Sequence, residues 1–544
     1  LKLTTTTTTT KFRNSTMKFI ELRGWEKFLY YNSKYKDTYT LCTGILDEPS
    51  SNNCDYECEL DESLFVSALS YLSRRHAYLS SHVLERKNDE DSTKTDVLLC
   101  LNDETEVMPD ATTLNNYEFN LDECIESRKE LIKQIERFNQ IEFDYKTREP
   151  LWRVKLCRFV DDDDNGDDGE DDASEIKMKK RRLNLSLVIP LFLTDGINIC
   201  ALLVELVNIL NALVQNRKCK EMEEKLDLMG NFYSQCDEQH LLNDSVLAKL
   251  EEKLKTGQII NKFLLPDDFK SNQSGDEEEK AIESDFLKIN LFKLSKLESE
   301  TLISVSKKNK TKLNGLLFGL LLYSLRDLYL ERSQTFPLNI SVGCPANLRI
   351  RCRPHLDLRK MGHYINMFAI NLDYPEFGKF ENVWHEANYI NRQIEAAVRL
   401  DDGSFFVSSH DFDAVDKSCQ LFENSFDSTN EKAMQQLIDA NLTFDVMFSN
   451  TGTYVNDMVK KEETDSIAHK ADERAPLVLD ELYFGDSLSH APRLSAAIIL
   501  HAHYWNSMLM FELSTNKSAI DANLSDKLVS LFKKRISECC KNDL

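Results

Sequence analysis

Apolar and polar positions along this chain alternate between helical and strand periods. Leu64, Phe65, Ala68, Leu69 and Leu72 recur at helical spacing behind Asp61, a side chain suited to cap a helix. A short strand is expected at His82–Leu84, and residues 123–139 read as a helix. Trp152, Val154, Leu156 and Arg158 alternate with their neighbours and predict a strand over Leu151–Phe159. Leu183, Leu185 and Leu187 alternate with Asn184 and Ser186 before the run turns continuously apolar, so Leu183–Leu193 reads as a strand entering a buried layer. After Asp195-Gly196, Ile199, Leu202, Leu203, Leu206, Leu210 and Leu213 fall on one face of a helix.

The same alternation resumes later. Helices are expected at Leu297–Ser306, Leu313–Glu331, Phe380–Arg399 and Leu524–Cys539. Strands are expected at Leu338–Gly343, Tyr364–Leu372, Phe444–Phe448, Leu477–Phe484, Ala496–His503 and Met508–Leu513. Helices mixed with strands in both halves argue an α/β or α+β architecture with mixed sheets. Residues 270–284 are polar, charged and without core positions, which makes them the expected linker between an N-terminal half over 17–269 and a C-terminal half over 285–544. Residues 1–16 contain the Thr4–Thr10 run and precede the first methionine, Met17; they are expected to be a disordered or mis-called extension.

Composition narrows the picture. A chain of 544 residues with 42% hydrophobic content is expected to build more than one core. The formal net charge of −24 repels phosphate backbones and disfavours nucleic acid as a partner. Part of that charge lies in 161–175, almost wholly acidic and expected to be a solvated loop between two strands. Lys177–Arg182 follow it, and attraction to the acidic run accounts for them more simply than a nuclear-localisation address. Among the 14 cysteines, Cys42, Cys100, Cys157 and Cys200 stand singly in apolar runs, and Cys54 and Cys58 have no matching pair nearby. Buried free thiols in a reducing, cytoplasmic setting are expected, with no metal site. The longest apolar region, Leu183–Val214, is interrupted by Pro190, Asp195, Gly196 and Glu205, so no integral membrane span is expected.

Six short motifs occur in a defined order. Arg75-His76-Ala77-Tyr78-Leu79 ends the first helix, and Glu149-Pro150-Leu151-Trp152-Arg153-Val154 opens a strand. Asp195-Gly196 stands between a buried strand and an apolar helix. Ala346-Asn347-Leu348-Arg349, Gly362-His363-Tyr364-Ile365-Asn366 and Ser449-Asn450-Thr451-Gly452 follow. This series resembles the chloramphenicol-acetyltransferase-like, or condensation-domain, superfamily, and is similar to its alcohol acetyltransferases and wax-ester-type acyltransferases. The resemblance implies two pseudo-symmetric half-domains, each a mixed sheet with helices, around a central tunnel. It implies acyl-CoA as a co-substrate and an alcohol or amine acceptor. It further implies that Asp195 holds the motif loop, commonly through an arginine, with Arg349 the best candidate and Arg351 the next. A plain Asp-Gly turn is the alternative. Ser449, Asn450 and Gly452 are expected to line the tunnel.

The chain departs from the family at one position. The family histidine, four residues before the aspartate, is Leu191 here, and Pro190 precedes it. Leucine accepts no proton, and losing a general base typically costs about 10²–10⁴ in rate. His363, on the strand expected beside the tunnel, is the candidate replacement base, against the simpler reading of a hydrogen-bonded histidine at a strand end. His240 and Asp244 form a literal H-x-x-x-D in polar sequence, a match expected by chance. His501 and His503 share one face of a strand; no carboxylate or cysteine lies at ligand spacing, so a structural role is preferred to a metal pair. G-x-S-x-G, G-x-x-x-x-G-K-[ST] and G-x-G-x-x-G are absent. Two functions remain open. One is an acyl-CoA-dependent acyltransferase with a degenerate motif and no bound cofactor. The other is a catalytically inactive relative that binds a lipid or acyl-CoA or serves as an interaction module. A monomer is expected in either case.

Overall fold

The computed structural model describes residues 10–12, 15–22, 24–36, 38–47, 60–87, 95–101, 116–139, 143–147, 149–162, 180–227, 287–332, 336, 339–349, 356–373, 383–398, 445–457, 477–488, 496–517 and 520–541. The expected linker at 270–284, most of the acidic loop, His240, Asp244 and Arg351 lie outside them.

The first half opens with a hairpin, β1 (Thr10–Phe12) and β2 (Ser15–Glu21), then α1 (Gly24–Lys36), β3 (Thr38–Asp47) and α2 (Glu62–Arg75). It continues through β4 (Ser81–Lys87), β5 (Thr95–Leu101), β6 (Tyr117–Ile125), α3 (Arg128–Phe138) and β7 (Arg153–Asp161). β8 (Lys180–Pro190), a single 3₁₀ turn at Leu191–Leu193, α4 (Gly196–Val214) and the short α5 (Lys220–Glu223) complete it. The second half holds β9 (Leu287–Lys293), α6 (Lys296–Lys308), α7 (Leu313–Glu331), β10 (Asn339–Asn347), β11 (Ile365–Asp373) and α8 (Val383–Val398). β12 (Val446–Asn450), β13 (Val478–Leu488), β14 (Ile498–Trp505), β15 (Met508–Asn516) and α9 (Ala522–Lys541) follow.

These elements form two lobes, each a mixed sheet with helices. The first lobe has a five-stranded sheet, β13-β3-β8-β7-β6, and a smaller four-stranded sheet, β1-β2-β5-β4. The second has a six-stranded sheet, β11-β10-β12-β14-β15-β9. Each lobe has its own apolar core: α4 and the strands around it in the first, α7, α9 and the six-stranded sheet in the second.

Local rules account for the elements near the functional region. Asp61 caps α2 by accepting from the Leu64 amide at 2.8 Å, and Phe65, Ala68, Leu69 and Leu72 are buried. α4 is apolar all round because it is buried all round, with Ile199, Leu202, Leu203 and Leu206 fully enclosed. It is long and apolar enough to cross a membrane, and most of it is buried inside the protein, as suits a core helix. Its one buried acid, Glu205, explains the Arg75-His76 motif: Glu205 Oε2 accepts from Arg75 Nε at 3.1 Å and lies 2.6 Å from His76 Nε2. Burial alone would raise the Glu205 carboxyl, but His76 and Arg75 outweigh it and hold it below the usual carboxylate range.

Some sequence expectations and the fold differ, and α1, β3, β5 and β9 were not among the expected elements. The helix expected over 123–139 starts only at Arg128, where Ser127 caps it by accepting from the Glu130 amide at 3.2 Å. The residues before it form β6, paired in parallel with β7. The strand expected to reach Leu193 stops at Pro190, which has no amide to extend the ladder, and Leu191–Leu193 turn instead. Thr10–Phe12 and Ser15–Thr16, inside the expected extension, pair as strands. Finally, the lobes do not divide the chain in sequence order. β13 lies in the second half of the chain yet pairs antiparallel with β3 along its whole length, from Val478↔Asp47 to Leu488↔Thr38.

A buried charge network fixes that crossover strand. Glu481 of β13 accepts from Arg128 Nη2 at 2.5 Å, Arg182 Nη1 at 3.1 Å and Lys293 Nζ at 2.8 Å. Arg182 also reaches Asp161 at 3.0 Å and Asp47 at 2.9 Å. The described end of the basic run therefore meets the first residue of the acidic run.

Candidate functional site between the lobes

Asp195 sits where β8 has ended and α4 begins. Its Oδ1 caps the helix by accepting from the Asn198 amide at 3.0 Å. Its Oδ2 accepts from Arg349 Nη1 and from the Tyr364 amide at 3.2 Å. Both ionic side chains are fully buried, Asp195 at 0% and Arg349 at 1% exposure, so each requires the other. Arg349 also donates toward the carbonyls of Lys360 and Gly362, each at 3.4 Å, and lies over the Tyr364 ring with 4.7 Å to its centroid. Gly362 has φ +141°, a conformation open to glycine, which explains the glycine that leads this strand. Asn198 adds a second stitch, donating to the Leu358 carbonyl at 2.9 Å. The motif loop of the first lobe is thus bonded at several points to the segment between β10 and β11.

That segment carries His363, 3% exposed. Its Nδ1 lies 3.0 Å from the Leu191 carbonyl oxygen and 3.2 Å from the Thr194 carbonyl oxygen. Carbonyl oxygens only accept, so Nδ1 carries the proton and a neutral His363 keeps its lone pair on Nε2. Nε2 is buried and has no hydrogen-bond partner in the protein. Burial pulls the His363 imidazole below its ordinary value, partly offset by Asp195 and by the two carbonyls, which keeps the ring neutral at physiological pH. The Leu191 side chain is half-buried and packs against the first core.

Ser449 and Asn450 end β12 in the second lobe, and Gly452 follows it. Ser449 is buried and stands opposite His501 in the parallel ladder. Asn450 donates to Asn314 Oδ1 at 2.7 Å and accepts from the Gly452 amide at 2.8 Å, and the space beside the Gly452 Cα is open. His501 and His503 are buried, and burial holds both imidazoles far below their usual value, down to about 3. Two carboxylates that sequence spacing did not connect to them, Asp486 and Glu512, approach from β13 and β15. The available signal was in the pattern of β15: Glu512 and Ser514 occupy alternate positions of an otherwise apolar strand. Among the described residues, no three His, Cys, Asp or Glu side chains form a metal-holding group.

No family model and no curated protein matches the chain. Solved structures do. The trichothecene 15-O-acetyltransferase from Fusarium sporotrichioides aligns with a TM-score of 0.62 at 11% identity, covering 96% of each chain. The cyclization-docking bidomain of the EpoB nonribosomal peptide synthetase from Sorangium cellulosum aligns with a TM-score of 0.54 at 12% identity, covering 96% of this chain and 85% of that one. The epimerization domain from the third module of tyrocidine synthetase B aligns with a TM-score of 0.53 at 12% identity, covering 98% of each chain. With these alignments running nearly end to end, the chain has the two-lobed fold of the condensation-domain and chloramphenicol-acetyltransferase-like acyltransferases.

Proposed function

We propose that this protein transfers an acyl group from acyl-CoA to an alcohol or amine acceptor, with His363 as the base that Leu191 cannot be. The supporting observation is the placement of the His363 ring against the backbone of the motif loop, with Nδ1–H donated to the Leu191 and Thr194 carbonyls and the Nε2 lone pair unpartnered. In this reading Nε2 takes the proton of the acceptor hydroxyl or amine as its oxygen or nitrogen attacks the thioester carbonyl. The carbon–sulfur bond then breaks and the imidazolium returns the proton to the leaving thiolate. Asp195 and Arg349 hold the loop and act as positioning residues. A structural neighbour described as a trichothecene 15-O-acetyltransferase fits this reading.

A second reading keeps the fold and drops the chemistry: an inactive relative that binds a lipid or acyl-CoA. Two observations favour it, the apolar Leu191 at the motif position and the burial of His363 Nε2. Free-thiol release from acetyl-CoA, measured across a panel of alcohols and amines, separates the two. Turnover that His363→Gln abolishes supports transfer. Saturable acyl-CoA binding with no turnover, joined by turnover in Leu191→His, supports a relative that has lost its base.

A further inference from the structure

One face of the six-stranded sheet carries a buried polar stripe that this mechanism does not use. Along β14, Ile498, Leu500 and Ala502 pack into the second core, so His501 and His503 occupy the opposite face. On β15, Phe511 and Leu513 pack into the same core, and Glu512 and Ser514 alternate with them. His501 and Glu512 are directly cross-strand. Phe484 of β13 covers both imidazoles, with ring centroids 4.9 Å and 5.5 Å away, and also lies against Gly196 of the motif loop. Asp486, two residues further along β13, brings Oδ2 to 3.8 Å from His501 Nε2. A Cβ on Gly485 would fall 1.8 Å from Glu512 Oε2, so a side chain there would have to displace that carboxyl group.

The stripe is only partly satisfied: Ser514 Oγ donates to Glu512 Oε1 at 2.6 Å, and other atoms have no partner. Glu512 and His501 are each 2% exposed and His503 3%. Glu512 Oε2, both ring nitrogens of His501 and His503 Nε2 are buried with no hydrogen-bond partner in the protein. Native proteins rarely leave such a concentration of orphaned polar atoms, and a cluster of them marks a place that something else completes. The set offers two carboxyl groups, and no Lys or Arg among the described residues pairs with either one. Burial pushes Glu512 up to about 8, helped by Asp486, and pushes Asp486 up to about 7, helped by Asp195. A cation arriving between them would relieve both effects.

We propose that Glu512, Asp486 and His501 form an ammonium subsite that binds the protonated amine of an amino-alcohol acceptor, whose hydroxyl, and not the bound ammonium, is the group acylated. Three N–H donors of a primary ammonium match the unpartnered Glu512 Oε2, the unpartnered imidazole of neutral His501 and the Asp486 carboxyl beside it. The site lies beside the Asp195 loop, joined to it by Phe484. The inference rests on the acyltransferase reading for the word acceptor, but its test requires no turnover.

Equilibrium binding of n-octylamine and of n-octanol to the full chain, without acyl donor, is the test. The wild type is expected to bind the amine at least about tenfold more tightly than the alcohol, the size of one lost charge-assisted hydrogen bond. Glu512→Gln is expected to erase that preference while octanol binding changes less than about twofold. If Glu512→Gln does not fold, Asp486→Asn, at a more exposed position, is expected to reduce the preference several-fold. Equal binding of amine and alcohol by the wild type, or a preference unchanged in a folded variant, would overturn the subsite. Silence in the thioester assay with the amine preference intact would count against acyl transfer and leave the subsite standing.

Discussion

His363 Nδ1 stands 3.0 Å from the carbonyl oxygen of Leu191, four residues before Asp195. The Leu191 side chain is aliphatic, and its backbone oxygen orients an imidazole from the other lobe. A carbonyl at this position forces the Nδ1–H tautomer, which is the form a general base at Nε2 needs. Burial also keeps that ring neutral to lower pH than an ordinary histidine.

The acid limb of the reaction should therefore lie low. Because the His363 imidazole titrates below its ordinary value of 6.5, its base form persists as pH falls through 6.5 and is lost only in more acid solution. The pH profile of kcat/KM is expected to stay flat across the neutral range and to drop on the acid side below 6.5. A limb at or above the ordinary histidine range would assign the base to another group.

Asp195→Asn leaves Arg349 buried beside a neutral partner. Breaking one side of a buried pair typically costs about 3–5 kcal/mol. Denaturant unfolding of Asp195→Asn is expected to show a loss of this order, and Arg349→Ala a comparable one. The double variant should lose less than the sum of the two, because both remove the same interaction.

Glu481 holds the crossover strand to both lobes, and its carboxyl shows a characteristic pH signature. Burial would raise it, but Arg128 and Lys293 win and hold it well below the ordinary glutamate value of 4.5. A carboxylate depressed in the folded state contributes stability that is complete above its unfolded pKa and lost as pH falls through the folded one. Wild-type stability is expected to decline in acid below 4.5 through this group. Glu481→Gln should be less stable at neutral pH, with a shallower acid decline, as read by thermal melting across pH.

Glu512 predicts the opposite slope. Its folded carboxyl is raised to about 8, so the unfolded chain releases this proton first and unfolding gains as pH climbs toward 8. Glu512→Gln is expected to raise the melting temperature at pH 8 relative to the wild type and to flatten the slope between pH 5 and 8. A melting temperature at pH 8 below that of the wild type would contradict a protonated Glu512 in the unliganded protein.

Several parts of this arrangement were readable in the residues alone. The strand-to-helix passage around Asp195 announces itself, because a continuous apolar run followed by Asp-Gly and a helical apolar face has few other solutions. The family resemblance, and not the residues by themselves, offered Arg349 ahead of Arg351 as the partner of Asp195, and the fold pairs Asp195 with Arg349. Other parts were hidden for physical reasons. β6 reads Tyr-Glu-Phe-Asn-Leu-Asp-Glu-Cys-Ile and lies at the edge of its sheet, so its outer face stays charged and blurs the strand signal. The partner of β13 is β3, far away in sequence, and no local period reports such a choice. The carboxylates around His501 come from β13 and β15 and meet only once that crossover has formed. His363 was visible as a candidate, but its bond to the Leu191 backbone could come only from the folded chain.

The central claim is that His363 serves as the base of an acyl transfer. The most direct measurement is free-thiol release from acetyl-CoA by the wild type and by folded His363→Gln, across the same panel of alcohols and amines. The account predicts turnover by the wild type and a fall of about 10²–10⁴ in kcat/KM for the variant, with its melting temperature preserved. A silent wild type, or a His363→Gln variant as fast as the wild type, would contradict it.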